Sequence, residues 1–336
     1  CCGHHAQMAG IFGAALALTV PEIAEKLGGQ VVFFATPAEE YGEIEFKNQL
    51  REQGKIRYGG GKCELIRTGA FDDIDLCLAH HIQPGDEIQV GSGTGNGFVS
   101  KVIRYLGKAA HAAGAPDKGV NALSAASLGL QALGLNRETF RDEDCVRIHP
   151  IITKGGNLVN VIPDEIVIET LVRAKTIEAF TDAAKKTDRS FQAGAVAMGA
   201  KVEITTLPGY LPTLAEQALP ELKRAAELAA PEVPVREAAG HSGGSTDVGD
   251  VQHLMPVYTF NTGGVKGGLH QINFEVTNEE EAYIDTAKMF ALAAYGLLKE
   301  KAARSKELVK NYKPVFKDSA EYTKFMEQFD FKEVLD

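Results

Sequence analysis

The chain has 336 residues, 44% hydrophobic and 24% charged, a composition that excludes a disordered protein and fits a soluble globular one of about two domains. A formal charge of −10 excludes the basic footprint that a nucleic-acid partner needs. No apolar run reaches the roughly 18 residues of a membrane span, since residues 9–20 stop at Pro21, and five scattered cysteines read as a reducing cytoplasmic setting rather than a disulfide framework.

Residues 7–18 are Ala-rich with apolar positions at helical spacing and predict a helix, and residues 30–36 form a continuous apolar run of the kind a buried parallel strand shows. Cys2-Gly3-His4 precedes that helix, where the N-terminal dipole favours a thiolate. Glu39-Glu40 follows the strand directly after Pro37-Ala38. Residues 74–79 predict a second strand with His80-His81 at its carboxyl end, the end at which open α/β sheets bind ligands. The two motifs are therefore expected to converge.

From Phe98 the texture changes. A strand (98–106), a helix (120–135), two strands (146–153 and 165–173), a helix (177–198) and a strand (201–206) follow in the order βαββαβ, the ferredoxin-like split unit. After Leu207-Pro208-Gly209 the α/β pattern resumes with a helix over 214–230, a strand over 257–261 and an amphipathic helix over 279–301. The expected fold is thus α/β, built from residues 1–97 and 208–336, with an inserted α+β unit over 98–207. Gly95-Asn96-Gly97 and Pro208-Gly209 have the composition of hinges. Residues 305–336 fit either a docked helix or a loose tail.

Thiol, imidazole and carboxylate in one place suit a divalent ion such as zinc or manganese, and a second carboxylate beside the first suits a general base acting on an activated water. Two adjacent acids are costly to bury without charge compensation, so a solvated loop is the plain alternative for Glu39-Glu40. Side chains alternate along a strand, so His80 and His81 cannot face one site together. His270, in Gly267-Gly268-Leu269-His270, is a further ligand candidate. His111 stands among small residues that leave its ring unobstructed, while Asn160 and Arg173 can bind a carbonyl oxygen and a carboxylate. Gly243-Gly244-Ser245 offers backbone donors for an anion. Each of these residues also has an ordinary reading as a cap, a packing group or a surface residue.

Taken in order, CGH, PAEE, HH followed by a proline, GKAAHAA, NVIPDE, GGSTDVGD and GGLH resemble the M20 family of metallopeptidases, and within it the amidohydrolase branch of auxin-conjugate and aminobenzoyl-glutamate hydrolases. The resemblance runs from residue 2 to about residue 300. It implies a di-metal α/β/α catalytic domain carrying an inserted ferredoxin-like lid that dimerises. Carried across by position, Cys2, His4, Glu40, His81 and His270 are the ligands of two divalent ions, Mn or Zn, and Glu39 is the general base. His111 steadies the oxyanion, usually in the partner subunit's site, and Asn160 and Arg173 match lid positions that contact substrate. His81 is favoured over His80 by its distance from Asp75 and from Pro84. The implied activity is hydrolysis of the amide bond of an N-acyl amino acid or an aroyl-glutamate by a cytoplasmic homodimer.

Two departures bear on this. His5 and Gln7 stand where the family has an acid and a second histidine, and the strands that precede CGH in the family are absent, so the chain reads as truncated at its N-terminus. A non-catalytic dimeric relative, a dipeptidase of the same fold and a single structural zinc site are the alternatives.

Overall fold

The computed structural model describes residues 2–336. The chain begins with α1 (His4–Leu18), α2 (Ile44–Glu52) and α3 (Gly61–Arg67), followed by β1 (Cys77–Ile82) and β2 (Ile88–Val90). A second group comprises β3 (Gly97–Leu106), α4 (Ala122–Leu135), β4 (Arg147–Ile148), β5 (Ile151–Lys154), β6 (Glu165–Ala174), α5 (Ile177–Met198) and β7 (Lys201–Tyr210). The last group is α6 (Pro220–Ala229), β8 (Val235–Glu237), β9 (Val257–Thr262), α7 (Thr286–Asn311), α8 (Ser319–Met326) and β10 (Phe331–Leu335).

Two sheets result. The first has the order β1-β9-β2-β8 and is mixed, with β1 parallel to β9. Helices α1, α6 and α7 pack together beside it, and α1 turns Ala6, Gly10, Ala14 and Leu18 inward at a spacing of four. The second sheet is antiparallel with the order β10-β7-β3-β6-β4, and β5 also pairs with β6. Helices α4 and α5 cover one of its faces. Their starts are legible in the sequence, because the Asn121 side-chain Oδ1 accepts from the Leu123 and Ser124 amides and the Thr176 hydroxyl accepts from the Ala179 amide. Under α5, the wholly buried Lys101 ammonium reaches Asp188 at 2.7 Å and Thr206 at 2.8 Å.

Four expectations need correction. Residues 30–36 form no strand: a cavity of about 700 Å³ lies between residues 28–34 and β1, leaving the run without a ladder partner. The strand expected at 74–79 is shifted to 77–82, so His80 and His81 lie within β1 rather than beyond it. The helix expected over 214–230 begins only at Pro220, whose fixed φ suits a first helical position. The closing helix opens with a π-helical turn, breaks at Lys299–Ala302 and then continues to Asn311.

The last residues are docked, and they join the two sheets. Strand β10 pairs antiparallel with β7 from Phe331–Thr206 to Leu335–Val202. Just before it, Tyr322 donates to Asp250 at 2.8 Å, Tyr58 donates to the Thr323 carbonyl at 3.2 Å, and Arg51 pairs with Asp330 at 2.5 Å. Asp250 also accepts from the Leu211 amide. No helix among the described residues is long and apolar enough to cross a membrane.

Burial pushes the Asp250 carboxyl up to about 8, against the opposing pull of its Tyr322 bond. The folded state therefore keeps a proton that the unfolded state has lost between about pH 4 and pH 8, and stability falls as pH rises through that window. Urea denaturation across this range will show a shallower pH slope for Asp250→Asn. Tyr322→Phe, which removes one buried hydrogen-bond partner, will cost about 1–3 kcal/mol at fixed pH.

Candidate active site

Gly3 takes φ +81°, a left-handed conformation natural to glycine, and a Cβ there would lie 2.3 Å from Ile82 Cγ2. That close approach seats the start of α1 against β1 and brings Cys2 and His4 alongside His81. Strand alternation separates the histidine doublet. The His80 ring is buried against Phe260 and Phe290 and hydrogen-bonds Thr262 at 2.8 Å, while His81 Nε2 faces the Cys2 sulfur at 3.4 Å. His81 Nδ1 lies 2.6 Å from the Ile82 carbonyl and donates to it, leaving Nε2 as the lone-pair nitrogen.

The loop after residue 36 delivers the two acids. Ala38 and Glu43 adopt φ 54° and 51°, and His270 adopts φ 62°, so non-glycine residues hold left-handed backbone on both loops that enter the site. His4 Nε2 lies 3.5 Å from Glu39 Oε2 and 4.0 Å from Glu40 Oε1, and His270 Nε2 lies 3.5 Å from Glu40 Oε1. The side chains form three overlapping groups, Cys2-His4-His81, Cys2-Glu40-His270 and His4-Glu39-Glu40, within each of which the ligand atoms lie within 4.8 Å of one another.

This cluster fits divalent cations. His4 Nε2 is buried without a hydrogen-bond partner, and sulfur, nitrogen and oxygen donors of the kinds that zinc and manganese accept meet at one point. The thiolate expected at Cys2 is not what this environment favours by itself. Burial, and after it Glu40 and Glu39, push the thiol up to about 11, outweighing any benefit from the helix start. A cation is the compensating charge that the donor set lacks.

His5 and Gln7 leave the cluster alone. His5 packs edge-on against Phe274 and Tyr283, and Gln7 donates to the His80 carbonyl. Burial holds His80 down at about 3, with His81 adding to the effect, so its ring is neutral. It is a core residue.

The remaining candidates divide. Arg173 stands over the Phe98 ring at 5.8 Å on the sheet face that looks toward Glu40. His111 and Asn160 share a loop region in which His111 Nδ1 accepts from the Ala113 and Gly114 amides and the Asn160 carbonyl accepts from Ala112. Neither belongs to the groups of ligand atoms. In the Gly243-Gly244-Ser245 turn the Gly244 amide is occupied by Ser242 Oγ, and the Gly243 and Gly244 carbonyls accept from Asn96. Backbone anion binding is therefore reduced there, and the buried, unpartnered Ser245 hydroxyl is the free group.

Sequence reasoning missed two residues that fix Glu39. Thr246 Oγ1 donates to Glu39 Oε1 at 2.9 Å, and Tyr210 donates to the Glu39 carbonyl at 2.5 Å. Thr246 lies inside the GGSTD run, where its hydroxyl was the available signal. Asp247 beside it is wholly buried and pairs with Lys62 at 2.5 Å, which ties this loop to the start of α3.

Residues 1–295 match peptidase family M20/M25/M40. Over 323 residues the chain is 27% identical to a Xaa-Arg dipeptidase of Mus musculus, covering 93% of this chain and 67% of that protein. It is 26% identical over 229 residues to the indole-3-acetyl-aspartic acid hydrolase of Enterobacter agglomerans, covering 65% of this chain and 48% of that one. The chain thus spans about two thirds of the first relative and about half of the second. Among solved structures, a dinuclear metal-binding peptidase of the M20 family from Bacillus subtilis superposes with a TM-score of 0.56 at 23% identity, over 88% of this chain and 72% of that one. With a family match over most of its length, reached independently of the side-chain cluster, the chain belongs to peptidase family M20/M25/M40.

Proposed function

We propose that this protein hydrolyses the amide bond of N-acyl amino acids, aroyl-glutamates among them, at a centre holding two divalent ions, zinc or manganese. The observation that carries the reading is the meeting of Cys2, His4, Glu40, His81 and His270 around overlapping ligand positions, with Glu39 beside them. The five are assigned as ligands and Glu39 as the general base. When bound, such ions lower the pKa of water and polarise a carbonyl.

The protein groups do the rest. Glu39 takes a proton from the attacking water through Oε2, while Thr246 holds Oε1 at 2.9 Å. As the carbon–nitrogen bond breaks, Glu39 returns that proton to the leaving amine. Arg173 pairs with the substrate carboxylate, a task for which a guanidinium fork is suited. The Gly243–Ser245 turn lines the approach, and Asn160, in the same loop region as His111, contacts substrate together with it.

A homodimer completes this reading. Strand β5 is an exposed edge, and Ile151, Ile152, Leu158 and Val159 expose apolar side chains beside it. The opposite edge of the sheet is formed by β10, and the β5 side is chosen for its larger exposed apolar patch. His111 bridges to Val161 at the border of that patch, and in this reading its exposed ring serves the oxyanion in the site of the second subunit.

Glu39→Gln will lower kcat on an N-acyl amino acid by about 10²- to 10⁴-fold while elemental analysis finds the metal content kept. Unchanged turnover overturns the base assignment. His81→Ala will lose metal and His80→Ala will keep it, the latter paying instead in thermal stability; the reverse pattern overturns the ligand set. Val159→Asp combined with Ile151→Asp will convert the dimer to a monomer in sedimentation velocity.

A further inference from the structure

The register of the second sheet lines up one cross-strand row: Tyr210 on β7, Phe98 on β3, Arg173 on β6 and Arg147 on β4. Residues directly opposite in an antiparallel ladder share a face. The contacts agree, with the Tyr210 and Phe98 rings 4.7 Å apart and the Arg173 guanidinium over Phe98. The Tyr210 hydroxyl ends on the Glu39 carbonyl, so this face is the one turned to the candidate active site.

Two arginines thus stand directly opposite each other on that face. Like charges so placed repel. Among the described residues neither guanidinium has a carboxylate within 4.0 Å; Arg147 donates only to its own neighbour's carbonyl, on Val146. Arg51, Arg104 and Arg304, by contrast, are ion-paired. A second observation locates Arg147. His241, which bonds Thr94 and Asn96 just before the Gly243–Ser245 turn, is shifted down by burial and then by the charges of Lys175 and Arg147. Lys175 and Arg147 thus stand near enough to His241 for their charges to be felt beside that turn.

We propose that Arg147 is a specificity-determining residue that receives the side-chain carboxylate of an acidic leaving amino acid, aspartate or glutamate, while Arg173 receives its α-carboxylate. One dianionic ligand then compensates both guanidinium groups. A substrate with a basic residue in that position meets two positive charges instead and is rejected. The inference rests on the amide-hydrolase reading above and sharpens it to one class of substrate.

The test is calorimetric titration of the full-length Glu39→Gln protein, loaded with zinc, with N-benzoyl-L-glutamate, N-benzoyl-L-leucine and N-benzoyl-L-arginine. The glutamate compound is expected to bind at least tenfold tighter than the leucine compound. Arg147→Ala should lower that ratio at least fivefold, and Arg147→Lys should restore part of it. A ratio unchanged by Arg147→Ala, or tightest binding by the arginine compound, overturns the proposal. Failure of the hydrolase reading has a separate signature, namely no turnover of any of the three by the unsubstituted protein while the binding preference and its dependence on Arg147 persist.

Discussion

Two neighbouring carboxylates at one site are the constraint around which this molecule is arranged. Glu39 and Glu40 sit beside a thiol and three imidazoles whose ligand atoms fall within 4.8 Å in each overlapping group. Such an arrangement is unfavourable for the protein by itself, as the upward displacement of the Cys2 thiol by burial and by both acids makes plain. The backbone contributes its own cost, since Ala38, Glu43 and His270 are held in left-handed conformations worth of the order of 1–3 kcal/mol each. Strain and like charge are concentrated where a cation can repay them, which is why the cluster reads as a binding site and not as a chance meeting of polar groups.

The surrounding fold accounts for how such an arrangement is tolerated. Glu39 is fixed at both ends, through its carbonyl by Tyr210 and through its carboxylate by Thr246. Tyr210 closes β7 of the second sheet, and Thr246 stands on the loop tied down by the Asp247–Lys62 pair. A carboxylate held by groups from two different parts of the chain has little freedom to turn toward the solvent. The geometry of the first sheet's site thus depends on the seating of the second sheet.

Much of this was legible in the sequence, and the failures have identifiable physical causes. The βαββαβ order of residues 98–206 follows from periodicity and from caps such as Asn121 and Thr176, all local properties. The pairing of His81 with Cys2 follows from strand alternation once β1 is placed, although the strand is shifted by three residues. Residues 30–36 show the limit of pattern reading, because a strand is defined by its ladder partner, and an apolar run says nothing about whether one is within reach. At Cys2 the helix dipole, worth less than about 2 kcal/mol, is opposed by desolvation and two carboxylates, so a thiolate there depends on a cation. Arg147 was invisible because its meaning comes from register with Arg173, 26 positions away, and register is a tertiary property.

Hinge-like composition at Gly95-Asn96-Gly97 invites the idea of free movement between the sheets, but the contacts there argue for restraint. Asn96 is wholly buried and its amide nitrogen donates both to the Cys145 carbonyl, next to β4, and to the Gly243 carbonyl in the turn beside the site. Helix α8 and strand β10 make a second connection, anchored to the first body by Tyr322 and Arg51 and to the second sheet by the β7 ladder. Any change of angle between the sheets must then break a buried amide's bonds at one connection or a strand's ladder and a buried Tyr–Asp bond at the other. The row of side chains from Tyr210 to Arg147 is carried by the same sheet, so its distance from Glu39 is set by these two connections together. In the proposed reaction, selection among leaving groups and alignment of Glu39 are for that reason coupled: a movement that withdrew the arginines would also pull Tyr210 from the Glu39 carbonyl.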